Sequence, residues 1–161
     1  MITADAREWP APIRIVGLGS DKGDDALGWR IVTAVQRKLQ NPAVHSACVA
    51  TGAALLELLD GQGSLVVVDA VCSGGVPGSW HRYQWPLESL ERMRHWSTHG
   101  LGLVEVLPLA QTLGLLPPRV EVWGVEIDPT VLHDQAAAAA AERLACTLVN
   151  VFGFEGCASH V

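Results

Sequence analysis

The sequence predicts an α/β domain of three layers, helix on sheet on helix, with a mainly parallel or mixed twisted sheet. One observation is the alternation along the chain of short β-branched runs with stretches of helical apolar spacing, the pattern of βαβ units with right-handed crossovers. Another is the run Leu65 to Val71, apolar except for one carboxylate, as expected of a central strand covered on both faces. The third is size. A chain of 161 residues falls near the roughly 100–150 residues of one domain. Its 49% hydrophobic and 17% charged residues, against a usual charged share of about 25%, supply ample core. The chain therefore reads as a single domain over 1–161, with a lead-in at 1–12 and a flexible tail at 152–161.

Ile13 to Leu18 is a compact apolar run ending in Gly17-Leu18-Gly19, a buried strand that turns sharply. Ala26 to Leu39 carries Leu27, Ile31, Ala34, Val35 and Leu39 at helical spacing, with acids before it and Arg37 and Lys38 near its end, which suits the helix dipole. Val44 to Ala50 reads as a second strand, and Ala53 to Leu59 as a helix stopped by Asp60-Gly61. Leu65 to Val71 follows as the central strand. After the Gly-rich loop Cys72 to Ser79, Trp80 to Trp85 alternates like an edge strand. Leu87 to Arg94 reads as a helical turn or two. Gly100 to Leu113 has helical spacing that Pro108 should kink or interrupt. Val120 to Ile127 alternates as a further strand, and Ala-rich Thr130 to Val151 is the longest helix.

Charge and composition exclude several classes. Eleven basic against seventeen acidic residues give a net charge of -6, the opposite of a nucleic-acid binder's footprint. A cation or a basic partner suits it better. No apolar run approaches the ~20 residues needed to span a bilayer, and the N-terminus lacks the basic and apolar regions of a secretory signal. Cys48, Cys72, Cys146 and Cys157 form no C-x-x-C pair, so a reducing cytoplasm is the simplest compartment.

The loop Gly17 to Asp25 follows a strand and opens a helix, as a dinucleotide fingerprint does. Lys22 stands where a third glycine belongs, and Asp21, Asp24 and Asp25 would repel a pyrophosphate. The same acids suit a hard or borderline cation, although Asp24 and Asp25 also fit the plainer tasks of capping the helix and favouring its positive end. Asp69 shifts that balance. A carboxylate at the end of an apolar strand is costly and needs a partner or a metal, and strand C-termini form the ligand crevice of such sheets.

His99, in Ser97-Thr98-His99-Gly100-Leu101-Gly102, lies just before a helix, where a lone histidine is more commonly a surface or capping residue but could also complete a mixed Asp, Asp, His set with an open position. His95 and His99 have zinc-protease spacing but no intervening glutamate. No G-x-S-x-G occurs, and Cys72 and Ser73 neighbour Asp69 only in sequence. Of the six tryptophans, Trp80, Trp85 and Trp96 precede His99 and suit either core packing or an aromatic docking surface.

Taken together, these motifs resemble the hydrogenase maturation proteases. The resemblance runs from Ile13 to about Val149 and rests on four segments in order. They are Gly17-Leu18-Gly19-Ser20 with Asp24-Asp25-Ala26-Leu27-Gly28, then Leu65-Val66-Val67-Val68-Asp69-Ala70, then Ser97 to Gly102, then Val122-Trp123-Gly124-Val125-Glu126-Ile127. Three features depart from the family pattern. Ser20 replaces a usual Asn, the loop to the acid pair is one residue shorter, and Ala26 replaces a common glycine.

The resemblance implies an endopeptidase of aspartyl type that removes the C-terminal extension of an immature nickel-iron hydrogenase large subunit after nickel insertion. It assigns catalytic and metal-recognising roles to Asp25, Asp69 and His99, with Asp24 in support. The nickel would be carried by the substrate; other divalent ions such as zinc or cadmium would suit the same ligands in vitro. It relates the Thr51-Gly52-Ala53 turn to a region associated with substrate choice. The implied partner is the large-subunit precursor, with no nucleic acid and no membrane span. Two other readings use the same residues: a noncatalytic docking or metal-sensing chaperone for the immature subunit, and a metal-dependent small-molecule hydrolase.

Overall fold

The computed structural model describes residues 9–20, 26–86, 102–128, 130 and 135–153. Outside them lie Asp21, Asp24, Asp25, the segment Leu87 to Arg94, His95, Trp96, His99 and positions 154–161.

The elements follow in the order β1 (Ile13–Leu18), α1 (Leu27–Lys38), β2 (Val44–Val49), α2 (Gly52–Glu57), β3 (Ser64–Val71), β4 (Trp80–Gln84), α3 (Leu103–Thr112), β5 (Arg119–Glu126) and α4 (Gln135–Phe152). Among the described residues five strands form one mixed sheet in the order β2-β1-β3-β5-β4. Only the edge strand β4 runs antiparallel. β2 and β3 flank β1 on opposite sides, so the chain reverses its winding there. The crevice above the C-terminal ends of β1 and β3 is a topological switch point.

Side-chain alternation sorts the strands onto two cores. Ile13, Ile15, Val66, Val68, Trp123 and Val125 pack with α1 and α4. Val16, Leu18, Leu65, Val67, Val120 and Val122 pack with residues of α2 and α3. That is the three-layer arrangement expected. Trp80 stacks on Trp123 at 5.6 Å between ring centroids, and Trp85 packs against the α2/α3 core. Both therefore serve the sheet rather than a free aromatic surface.

Three details differ from the sequence expectation. Helix α3 continues through Pro108. The missing N–H costs one bond, while Leu103, Val106, Leu107 and Ala110 bury the helix and the Thr112 hydroxyl donates to the Pro108 carbonyl at 3.0 Å. Phe152, placed by sequence at the start of the tail, ends α4 and is fully buried. Trp9, placed in the lead-in, is also core: its ring meets Phe152 edge-on at 5.0 Å. The Asn41 amide donates to the Phe152 carbonyl at 2.9 Å, tying the end of α4 to the turn before β2.

Candidate active site

The glycines of the first motif set the height of α1 above the sheet. A Cβ on Gly17 would lie 2.6 Å from the Gly28 carbonyl oxygen, and one on Gly28 would lie 2.7 Å from the Val68 and 2.8 Å from the Leu18 carbonyl oxygen. Real side chains do not tolerate such separations, so glycine at both places lets the first turn of α1 rest directly on the ends of β1 and β3. Ala26, which follows Asp25 in the chain, is the N-cap of α1.

Asp69 lies within β3 and is 4% exposed. Leu65, Val67 and Val71 of the same strand enter the α2/α3 core, so alternation directs Asp69 to that face. Its partner in β5 is Gly124, which brings no side chain beside the carboxylate. In β4 the residue opposite Gly124 is His81, which is exposed. Asp69, Gly124 and His81 thus form one row across three strands on one face.

Helix α3 approaches the same rim. Its C-terminal end is fixed at the other edge, where Gly61, just ahead of β3, donates to the Leu115 carbonyl at 2.8 Å, so its N-terminus points to the strand C-termini. The N-cap is Gly102, the last residue of the His99 motif, and Leu103 packs in one cluster with Leu18 and Val71. Thr51 lies at the same rim, where it caps α2 by accepting the Ala54 amide at 3.1 Å.

The loop after Asp69 carries a feature absent from the sequence reading. Glu126, fully buried at the end of β5, accepts from the Ser73 amide and from the Ser73 hydroxyl, both at 2.7 Å. Ser73 therefore bonds to Glu126 and is not set up as a nucleophile beside Asp69. The available signal was that Glu126 repeats the pattern of Asp69, one acid at the end of an apolar strand. Glu121 is a second missed carboxylate. Deep in β5, it accepts from Arg82, Arg119 and the Trp123 indole, joining β4 to β5. Among the cysteines, burial pushes the Cys48 thiol up, a shift only partly offset by its hydrogen bond with Thr33.

Of the proposed triad, the described residues contain Asp69 alone; Asp25 and His99 lie outside them. Among the described residues no group of three or more His, Cys, Asp or Glu is placed to hold a metal. Among them, too, no helix is long and apolar enough to cross a membrane.

The profile of the family HycI, hydrogenase maturation protease, matches residues 11–139. Among solved structures, the hydrogenase maturating endopeptidase HybD from E. coli superposes with a TM-score of 0.72 at 24% identity, covering 85% of this chain and 89% of that one. The [NiFe] hydrogenase maturation protease HybD from Thermococcus kodakarensis gives 0.69 at 19% identity, covering 88% and 99%. The HycI protease from the same archaeon gives 0.65 at 23%, covering 89% and 93%. At these identities the structures establish a shared fold. No curated protein matches in sequence.

Proposed function

The chain belongs to the hydrogenase maturation protease family, a family of endopeptidases, and from that membership we propose that it trims the C-terminal extension from an immature nickel-iron hydrogenase large subunit once nickel has been inserted. The observation that carries this reading is the placement of Asp69. It is a buried carboxylate on a central strand, at the switch-point rim, opposite a glycine and facing the layer of α3.

Asp25 precedes the N-cap of α1, and His99 precedes the N-cap of α3. Both helices start at the rim where β3 ends, which supports a shared site for Asp25, Asp69 and His99. Two carboxylates and one imidazole are donors suited to a borderline divalent ion and leave positions for the substrate's own ligands. When bound, such an ion would let Asp25, Asp69 and His99 recognise the loaded precursor, and it could either polarise the scissile carbonyl or activate water, or serve to position the substrate alone. The sheet end holds the carboxylate of Asp69 at a fixed height, buried from bulk water.

Incubating the purified protein with nickel-loaded precursor and weighing the large subunit by intact-mass spectrometry tests the reading. A mass lowered by that of the extension supports processing. A precursor held at full length would make the protein a docking chaperone, and turnover of small esters without any precursor cleavage would make it a small-molecule hydrolase.

A further inference from the structure

β3 and β4 are consecutive in the chain, but β5 lies between them in the sheet. The loop from Cys72 to Ser79 therefore has to cross the C-terminal end of β5, at the rim where Asp69 sits. The crossing is heavily tied. Glu126 accepts both bonds from Ser73, Gly78 donates to the Glu126 carbonyl at 2.9 Å, and the Glu126 amide donates to the Ser79 carbonyl at 2.8 Å. A Cβ on Gly75 would stand 3.1 Å from the Glu126 carboxylate, so the loop lies directly on the acid. Ser79 closes the tip by donating from both its amide and its hydroxyl to the Val76 carbonyl, at 3.0 and 2.6 Å.

The product of this rigidity is an uncharged loop whose tip residue, Val76, is 75% exposed. A buried carboxylate is a costly device for a surface turn, and a fixed loop binds with less ordering entropy than a mobile one. The absence of charge and the three glycines (Gly74, Gly75, Gly78) favour contact with a polypeptide backbone and an apolar side chain over contact with an ion. We propose that the Cys72–Ser79 loop is a preorganised docking ridge for the substrate polypeptide beside the cleavage site, with Val76 as its apolar contact and Glu126 as the positioning residue. The inference rests on the processing role above and assigns the substrate's landing surface within it.

The test measures KM and kcat on nickel-loaded precursor, and precursor binding separately by biolayer interferometry, for the full chain and four variants. Val76→Asp and Ser73→Ala should raise KM and the precursor Kd roughly tenfold, the scale of one lost apolar contact, with kcat kept. Glu126→Gln should retain wild-type KM, because its amide oxygen accepts the Ser73 amide and its amide nitrogen donates to the Ser73 hydroxyl. Leu113→Asp, on another exposed apolar residue, should change neither constant. Unchanged KM in Val76→Asp, or a fall in kcat alone, overturns the inference while the processing role stands. If size-exclusion chromatography finds the wild type dimeric and Val76→Asp monomeric, the inference is overturned in favour of a second copy of the chain. If the wild type never cuts the precursor, the processing role fails; weaker precursor binding by Val76→Asp would still support the ridge, and unchanged binding would overturn it.

Discussion

Gly28 of α1 and Val68 of β3 lie so close that a Cβ on the glycine would sit 2.7 Å from the strand's carbonyl oxygen. Asp25 comes shortly before Gly28 in the chain and Asp69 directly after Val68. The contact therefore joins the two acidic motifs through backbone, with no side chain between. Gly28→Ala should destabilise the protein by about 1–3 kcal/mol, the usual cost of overpacking, read as a lower urea midpoint at unchanged slope. An unchanged midpoint would mean that helix and strand stand farther apart.

Glu121 presents a different dependence. Its side chain is 6% exposed and pairs with Arg82 at 2.9 Å and Arg119 at 3.2 Å, while the Trp123 indole donates at 2.8 Å. Glu121→Ala leaves these donors without an acceptor and should cost about 3–5 kcal/mol, as breaking buried pairs does. Urea denaturation measures it, and a loss no larger than that of a surface substitution would contradict the burial.

The exposed pair of Arg14 and Asp60, at 2.8 Å, provides a pH signature. The hydrogen bond from Arg14, followed by the Gln62 amide, holds the Asp60 carboxyl below its ordinary value. A carboxylate depressed in the folded state stabilises the protein above its unfolded pKa and loses that contribution as the pH falls through the folded one. The contribution is small because solvent screens the pair. Asp60→Asn should match the wild type in strong acid and fall slightly below it at neutral pH; a difference of the opposite sign would refute the pairing.

Ion binding can be probed without the substrate. Titration calorimetry with cadmium should find a single ion per chain, and each of Asp25→Asn, Asp69→Asn and His99→Ala should weaken it by at least about tenfold, the loss typical even of an outer-shell change. Binding indifferent to all three substitutions would separate these residues from any ion.

The strands and their places along the chain were largely legible in the sequence because β-branched runs such as Leu65 to Val71 admit few other uses, but their order in the sheet was not. The edge character of Trp80 to Trp85 was also legible, since its alternation matches one covered face; the strand itself ends at Gln84. What the sequence could not display was register. Nothing in the spacing of Asp69, Gly124 and His81 says that they share a row, because that depends on which strands become neighbours. Glu121 and Glu126 escaped for a related reason, as their partners Arg82 and Ser73 are remote in the chain and a buried acid reads like any polar residue of a strand. Pro108 misled because local helix propensity was outweighed by the burial of α3. The burial of Asp69 could be read from sequence because its apolar surroundings are contiguous with it.

The most direct measurement is cleavage of nickel-loaded and nickel-free precursor by the wild type and by Asp69→Asn, followed by intact mass, with circular dichroism as the check on folding. The expected result is shortening of the loaded precursor alone, by the wild type alone, with both proteins folded. Shortening by a folded Asp69→Asn variant at the wild-type rate, or equal cleavage of the nickel-free precursor, would contradict a site in which Asp69 reads the metal before the peptide bond is cut.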